Sequence, residues 1–190
     1  RIQAACELLR KVIRFLYFSR KLKSHLQQGT RELAKAAQCV LDLESLRKEG
    51  DLNGIAVVDA ETRWIMKAGE DVMNNASRIL IQGLESQNQT EVAAALQVFF
   101  NLGTLKTTVE NTITTLLERI NKSMKASLVF NEETLSKGNL DSSKILLWTR
   151  LEKLMDTIHI TCVQIWLIIR VLSKLKHPVL QIPLLGAIVK

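Results

Sequence analysis

Few residues in this chain have the types and spacing that catalysis or metal binding requires. His159 and Cys162 lie one helical turn apart and are the only near pair of histidine and cysteine. A structural zinc site needs about four converging ligands, so two ligands do not make a site. Because Cys162 also falls within an apolar helical pattern, we predict that it is a buried structural cysteine beside a partly exposed histidine.

Side chains for nucleophilic or acid–base catalysis lack the partners they would need. The three histidines lie in helices or at a helix end, with no nucleophile motif nearby: His25, His159 and His177. Two carboxylate pairs lie near helix ends or in a polar segment, where solvated carboxylates are ordinary: Glu44 with Glu49, and Glu132 with Glu133. Gly103 has no glycine partners at the spacing of a phosphate-binding loop. The sequence therefore predicts no enzyme, no cofactor, no metal and no small-molecule substrate.

Positive charge is concentrated near the start of the chain. The net charge is +7, and six basic residues fall within one segment: Arg10, Lys11, Arg14, Arg20, Lys21 and Lys23. Such a stripe can contact phosphate, an acidic partner or an anionic membrane surface, or it can be a solvated helix face. No recognisable nucleic-acid-binding motif accompanies it. We therefore keep a lipid-facing role for these six residues as an alternative, and expect no nucleic-acid binding.

Composition favours helices. The chain has 47% apolar residues, two prolines and one tyrosine, a balance typical of helical proteins. Its length of 190 residues is enough for one domain with a core or for a rod of helix pairs. Three widely spaced cysteines indicate no disulfide framework and fit a reducing cytosol. Because the first residue is Arg1 and no signal-peptide pattern follows, we expect an internal piece of a longer protein.

Apolar periodicity predicts an all-α fold, an elongated bundle or rod of about five antiparallel helices, two of them long. The predicted helices cover 2–28, 31–49, 55–84, 89–130 and 144–176. Together they form one helical domain over 1–176, interrupted by a flexible loop at 131–143 and followed by a short apolar tail at 177–190. Gly29 and Gly50 are predicted helix stops, and Asn88 with Glu91 has the spacing of a capping box.

Three faces are predicted to be buried. In the first helix the apolar residues at three- and four-residue steps are Ile2, Ala5, Leu9, Val12, Ile13, Leu16 and Leu26. In the third helix small residues along one ridge, which runs from Trp64 to Gly83, should permit a close helix crossing. The uncharged run Val92–Leu105 must be mostly buried, and Gly103 within it is predicted to serve close helix packing.

The fifth helix carries the cleanest heptad pattern in the chain. Its seam is Trp148, Leu151, Met155, Ile158, Cys162, Ile165, Ile169 and Leu172, which we interpret as the core of a bundle. Trp64 and Trp148 are predicted core residues, whereas Trp166 points to the flank. It could anchor a partner helix or fill the edge of its own bundle. From surplus apolar surface, the predicted partner-binding residues are Trp166, Ile169, Leu172, Leu180 and Leu184.

The uncharged stretch 157–169 is shorter than the about 20 residues of a membrane span, so no transmembrane helix is predicted.

The stretch Arg78 to Glu110 (RILIQGLESQNQTEVAAALQVFFNLGTLKTTVE) resembles the family of subunit 5 of the conserved oligomeric Golgi complex. This complex belongs to the tethering complexes that are built from helical rods. Further segments agree in the family's order: Ala4 to Leu22, Arg31 to Gln38, Asp51 to Val58 and Trp148 to Ile158. The resemblance covers most of the chain.

The resemblance implies a cytosolic protein, peripheral on the Golgi membrane, that assembles with other subunits through its helices. It would help to capture vesicles in retrograde transport within the Golgi. It implies contacts with subunit 7 above all, and with subunits 6 and 8, but neither catalysis nor a cofactor. No functional residue can be transferred, because the family has no short catalytic motif.

Overall fold

The computed structural model describes residues 2–49, 52, 54–128 and 140–174. These residues form six α-helices and no strand, which confirms the predicted all-α class. The helices are α1 (Ile2–Gln27), α2 (Leu33–Glu49), α3 (Ala56–Glu85), α4 (Gln89–Asn101), α5 (Leu105–Leu128) and α6 (Leu140–Lys174), with a 3-10 turn at Gly29–Glu32. The chain divides into two compact units, Arg1–Lys106 (unit 1) and Thr107–Lys190 (unit 2). The single helical domain predicted over 1–176 includes residues of both units.

The first three predicted helices agree with the structure to within two residues. Gly29 has φ +77, a left-handed conformation that glycine adopts without a Cβ penalty, and it ends α1 as predicted. The 3-10 turn then leads directly into α2. Because so little chain joins them, α1 and α2 pack against each other as an antiparallel hairpin.

The single long helix predicted over 89–130 is wrong, because the chain leaves the helix after Asn101 and starts α5 at Leu105. The break is a Schellman motif: the Thr104 N–H donates to the Phe99 carbonyl (3.0 Å) and the Gly103 N–H to the Phe100 carbonyl (2.9 Å). Gly103 has φ +72, and a Cβ added to it would have no neighbour within 4 Å. The predicted role of Gly103 in close helix packing is therefore also wrong, since Gly103 serves backbone conformation.

Helices α3 and α4 form a second hairpin around a non-glycine left-handed residue, Gln87 (φ 55). The Asn88 side chain caps α4 by accepting a hydrogen bond from the Thr90 N–H (3.1 Å), as predicted, but Glu91 does not complete the predicted capping box. The Asn88 N–H donates back to the Gly83 carbonyl (2.8 Å). Gly83 is buried, and a Cβ there would lie 3.0 Å from the Val92 backbone nitrogen. This contact confirms the close crossing that small residues on α3 predict.

The core of unit 1 lies where the two hairpins meet, with α2 packed on both α3 and α4. Each of the four helices contributes fully buried apolar side chains: Phe15 and Leu22, Ala36 and Leu43, Val72 and Ala76, and Val92 and Phe99. Asn101, the last residue of α4, donates through Nδ2 to the Ala34 carbonyl on α2 at 2.7 Å. The run Val92–Leu105 is thus mostly buried or half-buried, as predicted, and its two amide side chains, Gln97 and Asn101, are both hydrogen-bonded.

Unit 2 contains most of α5 and all of α6. The buried residues of α5 within unit 2 follow a helical spacing: Val109, Ile113 and Leu116. Residues 140–143, predicted as part of a loop, are the first turn of α6. The rest of that predicted loop, 131–139, and the predicted apolar tail, 177–190, lie outside the described residues.

Candidate interaction surfaces

The structure does not bring the predicted chemical side chains together. No group of three or more metal-ligating side chains exists within residues 2–49, 52, 54–128 and 140–174. Cys162 is exposed, which corrects the prediction of a buried cysteine, because the face of α6 that carries it does not pack inward. Cys39 is the buried cysteine, and burial raises the pKa of its thiol. His177, Glu132 and Glu133 lie outside the described residues.

His25 belongs to a small polar cluster at the turn between α1 and α2. Its Nδ1 lies 2.5 Å from Glu32 Oε2, and Lys35 Nζ donates to Glu32 Oε1 at 2.7 Å. The hydrogen bond from Lys35, and then the one with His25, lower the pKa of the Glu32 carboxyl. A carboxylate with two such partners holds a turn together and is not poised to accept a substrate proton, since its charged form is already stabilised.

A second polar cluster joins α1 to α3, and we call it the α1–α3 clamp: Ser19, Lys23, Glu61 and Trp64. The Ser19 hydroxyl, which is buried, donates to Glu61 Oε2, and Lys23 Nζ donates to both carboxylate oxygens at 2.9–3.0 Å. The Lys23 ammonium also lies 4.7 Å from the centre of the Trp64 ring. Hydrogen bonds from Ser19 and then Lys23 lower the pKa of Glu61.

The clamp changes the interpretation of the six predicted lipid-facing residues. Lys23 is half-buried and already has an anionic partner, whereas the other five are exposed: Arg10, Lys11, Arg14, Arg20 and Lys21. On a helical wheel with 100° per residue, Arg10, Arg14 and Lys21 point in nearly the same direction from the axis of α1. Lys11 lies about 80° around the helix from their mean direction. The six basic residues therefore do not form one continuous face.

The predicted apolar face of α1 is wrong in its first half. Ile2, Leu9 and Ile13 are 82%, 60% and 59% exposed. The side chains that pack inward are Phe15, Ser19 and Leu22. The large Phe15 ring fills the core better than the aliphatic face does, and the Ser19 hydroxyl finds its partner in Glu61, so the helix turns that side inward.

The heptad seam of α6 also points outward, and its interpretation as a bundle core is wrong. Trp148, Leu151 and Met155 are 66%, 45% and 59% exposed, so Trp148 is not a core residue. The buried face of α6 consists of Thr161, Gln164, Leu167, Ile168, Val171 and Leu172. This face lies about 130° around the helix from the seam at 100° per residue. We call the residues on this other side the α6 seam: Trp148, Leu151, Met155 and Cys162, which are exposed, and Ile158, Ile165 and Ile169, which are half-buried.

The predicted partner-binding residues are distributed over both faces of α6. Trp166 is 53% exposed beside the α6 seam, and the Arg170 guanidinium lies 4.8 Å from the centre of its ring. Ile169 is half-buried, and Leu172 is buried in this structure. Leu180 and Leu184 lie outside the described residues. Trp166 and Ile169 therefore remain available to a partner.

A groove of about 330 Å³ opens beside the start of the α6 seam. Ser127 of α5 lies on one side, and α6 supplies the rest of the lining: Lys144, Leu147, Trp148, Arg150, Leu151 and Leu154. A concave apolar strip of this size fits side chains of another helix, since large exposed apolar patches are typical of interaction sites.

By length and composition alone, α6 could cross a membrane between Lys144 and Lys174. Its longest stretch without a charged residue runs only from 157 to 169, compared with about 20 residues for a span. Thr161 and Gln164 within that stretch are buried polar residues. The absence of a membrane span therefore stays a prediction.

Comparison with known proteins identifies relatives over the whole chain. Residues 52–190 match the family described as conserved oligomeric Golgi complex subunit 5, C-terminal. Curated relatives named conserved oligomeric Golgi complex subunit 5 are 38% identical in Mus musculus and 31% in Arabidopsis thaliana, each over 100% of the chain. The relative in Dictyostelium discoideum is 33% identical over 94% of the chain. The chain spans about a quarter of the length of these relatives, 24–25%, and no solved structure matches it significantly.

Proposed function

The chain belongs to the family of conserved oligomeric Golgi complex subunit 5, and on that premise we propose that it is a non-enzymatic part of a vesicle-tethering subunit acting in intra-Golgi retrograde transport. The relatives are subunits of a Golgi complex by name. The chain acts mechanically: its helices hold other subunits in a fixed geometry by burying apolar seams. It works in the cytosol, peripheral on the Golgi membrane. Its partners are subunit 7 first, then subunits 6 and 8.

The exposed α6 seam is the observation that carries this proposal. A heptad repeat whose residues alternate by three and four positions is typical of a helix that packs along another helix. In α6 the repeat faces away from the buried side, so packing within the described residues does not account for it. Trp148 and Trp166, both more than half exposed, supply the aromatic anchors that dominate interface energies.

Co-purification of the full-length subunit with subunit 7 tests the proposal. Met155→Asp and Trp166→Asp each place a charge where the partner helix would exclude water, and either change should reduce recovered subunit 7 by about 30-fold, equivalent to about 2 kcal/mol. Ile81→Asp is the matched control, because Ile81 is 57% exposed on α3, away from the α6 seam in sequence. Its recovery should equal that of the unchanged protein.

Far-UV circular dichroism should show the same helicity in all three variants, since each altered residue is exposed. Retention of subunit 7 by both seam variants would remove the α6 seam from this interface. Loss of subunit 7 in the Ile81 control as well would show that the assay reports general surface damage, which would also contradict a dedicated seam.

A further inference from the structure

A second apolar seam, largely exposed in the described part of the chain, lies on α1 in unit 1. Ile2, Cys6, Leu9, Ile13 and Leu16 follow steps of four and three, and we call them the α1 seam. All except the half-buried Leu16 are exposed. The seam forms a strip about 80° wide and lies about 130° around α1 from the buried Phe15, Ser19 and Leu22, at 100° per residue. We propose that the α1 seam is a docking surface for an acidic amphipathic helix of another polypeptide.

Positive charge along one edge of the α1 seam favours an acidic partner helix. Arg10, Arg14 and Lys21 follow that border and are exposed, and none of them has a carboxylate within ion-pair distance in the described part of the chain. Glu7 is the single acidic residue of α1. A helix that covered the seam would therefore bring its flanking positions against three cations. Acidic residues at those positions are favoured, as at the flanks of a coiled coil.

Two other occupants fit the seam less well. A second copy of this chain would place its own arginines against Arg10 and Arg14, and like charges across a helix interface are unfavourable. A helix that lies in a membrane surface presents a wide apolar face with its basic residues in the headgroup region on both sides. Here the apolar strip is narrow, and the border opposite Arg10 is formed by Val12 and Lys23, which are half-buried in unit 1.

Synthetic peptides test the docking of an acidic helix directly. Two fluorescent peptides of about four leucine heptads would carry either glutamate or lysine at all flanking positions. Titration with the chain, followed by fluorescence anisotropy, should show the glutamate peptide binding about tenfold or more tightly than the lysine peptide, with a preference that falls as salt rises. Equal binding of both peptides, or binding of neither, would overturn the proposal.

Charge reversal in the chain provides a test that misfolding cannot imitate. The double variant Arg10→Glu with Arg14→Glu should reverse the preference, so that the lysine peptide binds more tightly. The matched control is Lys11→Glu together with Met155→Asp: Lys11 is exposed on the other side of α1, and Met155 belongs to the α6 seam. This control should retain the glutamate preference, and its loss would move the site away from the α1 seam.

The exposed Cys6 thiol reports where the peptide binds. In a Cys162→Ser chain, Cys6 is the remaining exposed cysteine, since Cys39 is buried. Bound glutamate peptide should slow alkylation of Cys6 by N-ethylmaleimide, whereas an unchanged alkylation rate would contradict the site. Flotation with phosphatidylserine–phosphatidylcholine vesicles distinguishes a membrane surface from a helix as the occupant of the α1 seam. If the chain floats with the vesicles, Arg10→Glu with Arg14→Glu abolishes flotation and no peptide binds selectively, the seam binds lipid and the proposal is overturned.

Discussion

The Ser19 hydroxyl on α1 donates a 2.7 Å hydrogen bond to Oε2 of Glu61 on α3. Forty-two positions separate the two residues, so this bond fixes the angle at which two helices distant in sequence meet. Ser19 is 2% exposed, and removal of its hydroxyl would leave the Glu61 carboxylate with the hydrogen bonds from Lys23.

Ser19→Ala should therefore lower the free energy of unfolding by about 1 kcal/mol, because Glu61 loses a charge-assisted hydrogen bond within a partly buried site. Ser24→Ala, an exposed change on the same helix, should leave it unchanged within about 0.5 kcal/mol. Urea denaturation of both variants measures the difference. Equal stabilities would show that the bond contributes nothing net.

Stability should also depend on pH through Glu61. Hydrogen bonds from Ser19 and Lys23 lower its pKa from the ordinary value of 4.5. A lowered pKa in the folded state means that the carboxylate stabilises the protein at neutral pH, and that this contribution is lost as the pH falls below 4.5 through the folded-state pKa. Glu61→Gln should thus destabilise at pH 7 and have a diminishing effect in acid. Thermal unfolding of Glu61→Gln and of the unchanged protein across this pH range measures the difference.

Gly83 and Gly69 on α3 should respond oppositely to alanine. A Cβ at Gly83 would lie 3.0 Å from the Val92 backbone nitrogen, which cannot move without shifting α4, so Gly83→Ala should cost about 1–3 kcal/mol. At Gly69 the nearest atom is the Val40 side chain at 3.4 Å, and the gain in helix propensity should make Gly69→Ala neutral or stabilising by about 0.5 kcal/mol. Chemical denaturation compares them; equal effects would contradict the close crossing.

Gly103→Ala should destabilise for a different reason, because no neighbour lies near its Cβ position. An L-residue at φ +72 costs about 1–2 kcal/mol in backbone conformation. Asparagine tolerates this conformation better, so Gly103→Asn should recover part of the loss in thermal unfolding. If alanine were accepted without cost, α4 and α5 could join as one helix, contrary to the Schellman motif.

Two isoleucines of α6 distinguish its two faces. Ile168 is 1% exposed and Ile145 is 67% exposed. Ile168→Ala should cost about 2–4 kcal/mol through lost burial and a residual cavity, whereas Ile145→Ala should change stability by less than about 0.5 kcal/mol. Differential scanning calorimetry of the pair is a direct measurement. The reverse order would contradict the buried face of α6 that includes Ile168.

The sequence predicts where helices occur better than which side of a helix is buried. Helices α1 to α3 and the Asn88 cap follow from the Gly29 stop, capping chemistry and apolar period, all of which act locally; the predicted stop at Gly50 lies outside the described residues. The break after Asn101 is harder to predict, since a single Gly103 in an apolar run is equally typical of close packing. Only the backbone, with Thr104 bonded to Phe99, distinguishes the two roles.

The candidate surfaces show why the apolar period alone does not predict which face of a helix is buried. In both α1 and α6 the strongest apolar seam faces outward, while the packed face includes polar residues whose hydrogen bonds cannot be predicted from spacing. Ser19 is buried with its hydroxyl donating a hydrogen bond to Glu61, and Thr161 with its hydroxyl donating to the Thr157 carbonyl at 2.7 Å. An apolar seam in a helical sequence thus indicates a packing surface without saying whether its partner lies within the chain.

The succession of hairpins in unit 1 affects how the chain folds. Helix α1 packs on α2 and α3 on α4, and each pair is neighbouring in sequence. Closing such short connections costs little loop entropy, so each pair can form early, and proteins dominated by local contacts fold in about microseconds to milliseconds. The α1–α2 hairpin can therefore form on the ribosome before α4 has been synthesised, and it then offers α2 as the template on which the second hairpin assembles.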